Sequence, residues 1–139
     1  MPAIFVDSAA WIALLNTSDE LHLQAQQVLA ELRHQGVPLL TTDFVLLEVA
    51  DALSAPAFRG HTVQFVDSLR KQQVVRILPA SESLLNSGWT LYSNRPDKEW
   101  SLTDCISFVT MTAEGISDAF TSDHHFEQAG FRRLMRADQ

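Results

Sequence analysis

The stretch SLTDCISFVTMTAEGISDAFTSD, residues 101–123, holds in one piece the alternation that decides the fold. Ser101 or Thr103 starts a helix that runs to about Ala113, and Ile116 to Thr121 then reads as a strand. Downstream, Phe131 to Met135 follows Gly130 as a further strand. Upstream the same pairing recurs. Ala3 to Val6 is a short apolar run of strand formers ended by Asp7-Ser8, and Ala9 to Leu15 reads as a helix. Leu21 to His34 has apolar residues at 21, 25, 28, 29 and 32, a helical period closed by Gly36. Val37 to Leu40 is the next strand, and Thr41-Thr42-Asp43 supply helix-start residues. Phe44 to Leu53 is apolar nearly all round, as a buried helix is, and Ser54 to Gly60 is a loop or an irregular continuation of it. Thr62 to Lys71 is helical, Val74 to Leu78 is a strand stopped by Pro79, and Ser81 caps a helix to Ser93. Asn94 to Trp100 is a polar loop carrying Pro96. Strands alternating with helices imply a parallel sheet covered on both faces, because parallel strands need crossover helices. The expected class is α/β, with four to five strands in a single domain over residues 1–139.

Composition narrows the field. The chain of 139 residues is 46% hydrophobic and 19% charged, a globular balance that excludes a disordered or fibrous polymer. With 17 acids against 10 bases the formal net charge is -7. That count argues against a nucleic-acid partner, since phosphate binding is carried by basic surface, but it does not say where the charges sit. Cys105 is the only cysteine, so no intramolecular disulfide forms. No apolar run approaches the roughly 18 residues of a membrane span, and no basic segment precedes an apolar core at the N-terminus. The expectation is a cytoplasmic protein with no membrane partner.

In a parallel sheet every strand ends at one edge, and ligands bind beyond those carboxyl ends. Four carboxylates meet that condition. Asp7 ends the first strand, and Glu48 lies about 7.5 Å along the helix after the second. Asp104 falls in the first turn of its helix, and Asp123 lies two residues beyond Thr121. Carboxylates brought together repel, so the cluster needs a counter-charge or shared protons. With few bases near them in sequence, the expected counter-charge is a hard divalent cation, Mg²⁺ or Mn²⁺.

Each acid also has a purely structural reading. Asp7 can cap the helix at Ala9, and Asp104, three residues after Ser101, can complete a capping box. Asp123 can cap the Asp-His-His-Phe turn. Glu48 is the hardest to dismiss, lying in an apolar helix where an acid is costly to bury, though Asp51 one turn away leaves a salt bridge elsewhere open. Their joint placement, more than any one of them, points to a site.

Ile4-Phe-Val-Asp7-Ser8, the helix with Glu48, Ser101-Leu-Thr-Asp104-Cys-Ile-Ser-Phe, and Ala119-Phe-Thr-Ser-Asp123-His-His-Phe126 followed by Gly130-Phe131 span essentially the whole chain in order. Together they resemble the PIN-domain family, and within it the VapC-like ribonucleases, many of which are toxins of toxin–antitoxin pairs. The resemblance implies a three-layer α/β/α fold and an acidic site for one or two Mg²⁺ or Mn²⁺ ions that hydrolyses RNA phosphodiester bonds. Asp7, Glu48, Asp104 and Asp123 occupy the positions of the family's acidic quartet. In that scheme Asp7 and Asp104 are principal ligands. Glu48 and Asp123 bind the metal directly or through water, or help activate the nucleophile. Ser8 and Thr103 adjoin the site and orient water. A small antitoxin that covers the groove with basic residues, and a homodimer, are the partners so implied, beside RNA itself.

Other chemistries lack their signatures. No Gly-x-Gly-x-x-Gly, Walker loop or Gly-x-Ser-x-Gly elbow is present. Asp7 has no second acid two positions on, against a phosphatase of the haloacid type. Cys105 reads as a buried inert thiol on an apolar helix. His124 and His125, pointing in different directions, read as rim residues, one of which could touch RNA. Trp11, Trp89, Trp100 and the eight phenylalanines read mostly as core. The competing functions are a non-catalytic PIN-like RNA- or protein-binding module and a DNA-directed nuclease. A metal site that takes four of the 17 acids leaves RNA compatible with the net charge, with bases such as Arg95, Lys98 and Arg133 able to flank a groove.

Overall fold

Short β-branched and aromatic runs pair side by side, and the helices between them return the chain to the same starting edge. The computed structural model describes residues 2–137. In order these form β1 (Ile4–Val6), α1 (Ser8–Leu15), α2 (His22–His34), β2 (Leu39–Thr42), α3 (Asp43–Ala52) and α4 (Pro56–Lys71). They continue with β3 (Val75–Leu78), α5 (Glu82–Asn94), α6 (Leu102–Glu114), β4 (Asp118–Phe120), α7 (His125–Gln128) and β5 (Arg132–Arg133). The five strands make one all-parallel sheet in the order β3-β2-β1-β4-β5, within the expected α/β/α arrangement. From β1 the chain winds outward to β2 and β3, then returns to place β4 on β1's other side. The winding direction therefore reverses between β1 and β4, where an open α/β sheet forms its crevice. Register fixes that crevice: Val6 lies opposite Phe120, and the Asp7 amide donates to the Phe120 carbonyl at 3.2 Å. The next residues on the two strands, Asp7 and Thr121, thus emerge beside each other.

The core explains why these runs hold. Phe5, Val6 and Phe120 are wholly buried. Trp11 is buried beneath α1, with its indole N–H 3.4 Å from Thr41 Oγ1, which itself donates to the Val6 carbonyl at 2.8 Å. Phe108 meets Trp100, Phe126 and Phe131 with ring centroids 5.0, 4.9 and 5.8 Å apart, joining α6 to the α7–β5 segment. No helix of the described residues is long and apolar enough to cross a membrane.

The observed boundaries differ from the expected ones where local signals overlap. Thr41 and Thr42 belong to β2, as β-branched residues can, and Thr42 also caps α3 by accepting from the Val45 amide at 3.1 Å. Helix α4 starts at Pro56, six residues before Thr62, because proline suits a first helical position. The turn after Asp123 continues into the short α7, and β5 keeps only Arg132–Arg133 of the Phe131–Met135 run.

Helices α5 and α6 approach closely because Gly88 has no side chain. A Cβ there would press into Ile106 Cγ1 and lie 3.1 Å from the Ile106 backbone. Gly88→Ala gains roughly 1 kcal/mol of helix propensity but overpacks this crossing by about 1–3 kcal/mol. The expected net result is a urea midpoint lower by the equivalent of about 1 kcal/mol; an unchanged or higher midpoint would show that the two helices separate freely.

Candidate active site

Asp7 stands at the N-cap of α1 yet makes no capping bond with its side chain. The carboxylate instead crosses the crevice, where Thr121 Oγ1 donates to its Oδ2 at 2.8 Å. It is 3% exposed, and its pKa is pushed up to about 7. Burial is the chief cause, and the charges of Asp104 and Glu48 add to it. The Thr121 hydroxyl and the Ser8 amide oppose it. The capping reading of Asp7 therefore gives way to a buried acid held across the β1–β4 switch point.

Asp104 does two things at once. As third residue of α6 it completes a capping box: its amide donates to Ser101 Oγ at 2.9 Å, and its Oδ2 accepts from the Ser101 amide at 3.1 Å. The same Oδ2 lies 3.1 Å from His125 Nδ1. Burial and the charge of Asp123 raise its pKa, while Ser101 and His125 work the other way. The structural reading of Asp104 is correct, and it spends one carboxylate oxygen.

Glu48 reaches in from α3 and accepts a hydrogen bond from Ser8 Oγ. Among the described residues it has no salt bridge, so Asp51, which is exposed, marks no ion pair for it. Asp123 closes an Asx-turn, its Oδ1 accepting from the His125 amide at 2.9 Å, and its own amide donates to Thr121 Oγ1 at 3.1 Å. The four acids are thereby strung on one network, from Glu48 through Ser8 to Asp7, through Thr121 to Asp123, and through His125 to Asp104. Thr103, half-buried at the second position of α6, lies between the cap and Asp104.

Two residues of this network were not legible as such in the sequence. Thr121 read only as a strand end, and His125 as a rim residue. His125 is largely buried, with Nδ1 3.1 Å from Asp104 and 3.4 Å from Asp123 Oδ1. Nor do the two histidines diverge: the Asx-turn brings His124 Nδ1 to 3.8 Å from the same Asp123 oxygen. The signal for His125 was the turn itself, because an Asp followed by a tight helical turn folds the residue two positions on over its carboxylate. Cys105 is buried, with its thiol pKa raised by burial, as an inert cysteine should be.

Counter-charge distinguishes this cluster from other acids at the same edge. Asp43, at the start of α3, pairs with Arg70 at 2.9 Å and accepts from the Ala80 amide at 3.1 Å, which hold its pKa below the usual range despite some burial. Among the described residues no lysine or arginine pairs with Asp7, Glu48, Asp104 or Asp123. Six of the ten bases are already engaged with acids elsewhere, Arg95 with Asp97 and Arg133 with Glu127 among them. The cluster that does bring ligand atoms mutually within 4.8 Å is Asp123, His124 and His125. The four carboxylates spread more widely. That donor set, oxygen-rich and short of positive charge, fits a hard divalent cation that keeps much of its own water.

A parallel sheet with an acidic cluster at its switch point, supplied by four separate segments, is the arrangement of the PIN domain. The chain belongs to the PIN-domain family, whose model matches residues 4–132. It is 30% identical over 129 residues, 92% of this chain and 95% of the relative, to the 23S rRNA-specific endonuclease VapC20 of Mycobacterium tuberculosis, in strains CDC 1551 and H37Rv alike. The crystal structure of that protein, described as a sarcin-ricin loop cleaving toxin, matches with a TM-score of 0.81 and 29% identity over 93% of this chain and 96% of the other. Two more distant structures share the fold. VapBC2 from Rickettsia felis, solved with a DNA fragment from its promoter, has a TM-score of 0.65 at 12% identity and covers 94% of this chain and 96% of its own. FitAcB from Neisseria gonorrhoeae has a TM-score of 0.64 at 17% identity and covers 94% and 95%.

Proposed function

We propose that this chain is a divalent-metal-dependent endoribonuclease, the toxin of a toxin–antitoxin pair, acting through Asp7, Glu48, Asp104 and Asp123. The observation that carries the reading is the networked quartet with no lysine or arginine partner among the described residues, in a PIN domain 30% identical to an rRNA endonuclease. Mg²⁺ or Mn²⁺ is the proposed cofactor, with Asp7 and Asp104 as principal ligands. When bound, such an ion acidifies water, orients the phosphate and offsets the charge that builds on its oxygens.

The residues divide the remaining tasks. Thr121 holds Asp7 by its Oδ2, and the capping box with His125 holds Asp104 by its Oδ2, so that both carboxylates are fixed in place and would be ready to hold an ion. Ser8 fixes the carboxylate of Glu48. Glu48 and Asp123 flank the principal pair, where a carboxylate can orient a water or accept its proton. The chain's acidity is consistent with this role, because its bases are largely committed to internal pairs and affinity for RNA then depends on the bound cation. A small antitoxin presenting basic side chains to the same pocket is the corresponding partner.

The test is cleavage of RNA by the purified chain, with 23S rRNA, the substrate of the relative, as the first RNA assayed. Cleavage should require Mg²⁺ or Mn²⁺ and stop in EDTA, and Asp104→Asn should lower it on the order of 100-fold. Full activity in EDTA would remove the metal mechanism. Cutting of single-stranded DNA with RNA left whole would turn the reading to a DNA-directed nuclease.

A further inference from the structure

We propose that the recess between the C-terminal half of α5 and the start of α6 is a base-stacking subsite for single-stranded RNA, an inference that rests on the ribonuclease reading above. Its platform is Trp89 with Tyr92. Their rings stack at 5.5 Å with an interplanar angle of 24°, yet they are 56% and 44% exposed, whereas Trp11 and Trp100 are buried in the core. Large aromatic faces left open to water are costly unless something covers them. The recess has a volume of about 760 Å³, and Arg95, Lys98, Glu99 and Ser101 also line it.

Three features favour RNA as the occupant. Exposed, paired aromatic rings are the means by which proteins hold unpaired bases without reading their edges. The local charge is not repulsive: in a chain of net charge -7, the segment along this recess balances Arg95 and Lys98 against Asp97 and Glu99. Arg95 is tied to Asp97, and both Arg95 and Lys98 lie over the Trp100 ring, at 5.0 and 5.8 Å from its centroid; Lys98 has no carboxylate partner among the described residues, so its ammonium is the one that can turn to a phosphate. The last is continuity. Ser101 lies at the end of the recess and caps α6, and Asp104 stands three residues, about 4.5 Å of helix, further along. A strand whose scissile phosphate lies at the quartet therefore runs its neighbouring nucleotides past Ser101 onto the Trp89–Tyr92 pair. Leu85 extends the exposed stripe one turn away from the site, so a protein segment is the competing occupant and an outcome of the test.

The experiment measures steady-state cleavage of a short mixed-sequence single-stranded RNA in Mn²⁺, together with tryptophan fluorescence as that RNA is added. Trp89→Ala should raise KM about 5- to 150-fold, the change falling in KM more than kcat, and should remove most of the fluorescence quench. Trp89→Phe should retain most of the affinity, and Lys98→Ala should lower the salt dependence of binding by about one unit of slope. Leu23→Ala, exposed on α2 away from the recess, serves as the control. If the wild type cuts RNA while Trp89→Ala and Tyr92→Ala keep its KM and quench, the subsite is refuted and the ribonuclease reading stands. Loss of affinity for an antitoxin with the RNA KM intact would assign the face to protein and equally refute it. A wild type that neither binds nor cuts RNA would end both.

Discussion

Asp7→Asn is expected to make the protein more stable and nearly inactive. The substitution keeps the shape of the side chain and an oxygen able to accept the Thr121 hydroxyl, but removes a charge that the structure buries at 3% exposure beside Asp104 and Glu48. The native carboxyl pKa of about 7 lies some three units above its ordinary value of 3.8, which corresponds to an upper bound of about 4 kcal/mol held against folding at alkaline pH. Removing that charge should therefore raise stability at pH 8 by about 2–4 kcal/mol, read as a higher urea midpoint. RNA cleavage should fall on the order of 100- to 1000-fold, because a neutral amide neither offsets a cation nor orients its water well. Opposite signs are the diagnostic feature. A carboxylate retained only for structure would lose stability when replaced, whereas one retained for chemistry at the cost of folding gains it. Loss of both stability and activity would make Asp7 a structural residue.

The unsubstituted protein should show the same conflict as pH and divalent ion are varied. A carboxyl whose folded pKa is raised keeps its proton in the native state at pH values where the unfolded chain has released it. The stability this confers is complete below 3.8 and is lost as pH rises toward 7. Asp104 is shifted in the same direction, whereas Asp43, shifted down by Arg70, stays ionised across the upper part of this range and does not oppose the trend there. Between pH 5.5 and 8 without metal, the protein should lose about 2 kcal/mol, or on the order of 5–10 °C in Tm. Millimolar Mg²⁺ or Mn²⁺ should restore much of that loss at pH 8 and do far less at pH 5.5, where a proton competes for Asp7. Scanning calorimetry at the two pH values, with EDTA or metal, reads all four corners. Equal stabilisation by metal at both would place the ion away from Asp7.

The fold was legible because its signals are local and repeat. Apolar runs of strand length end at Asp7, Thr41 and Pro79, helices open on Thr42, Ser81 and Ser101, and this alternation admits little except a parallel sheet. It is less exact where one residue serves two elements, as Thr42 ends β2 and caps α3, where a stretch such as Ser54 to Gly60 reads as either loop or helix until Pro56 starts α4, and in the last segment, where α7 forms and β5 shortens. Of the candidate site, the four acids stood out because each follows a strand or lies in the first turns of a helix that does, positions that topology sends to one edge.

What that edge becomes is a matter of tertiary structure. Sequence alone could not choose between Asp7 as a cap and Asp7 as a buried acid, since the choice depends on Thr121, 114 residues away, arriving beside it through the pairing of β1 with β4. It could not show that Asp43 is neutralised by Arg70 while the quartet has no such partner among the described residues, or that His125 is folded inward between Asp104 and Asp123. Nor could it separate the exposed Trp89 from the buried Trp11 and Trp100, which composition counts alike. Element type follows from neighbours a few residues apart, which sequence displays directly. Charge state, burial and partnership depend on contacts between distant segments, and those exist only once the sheet has closed around its switch point.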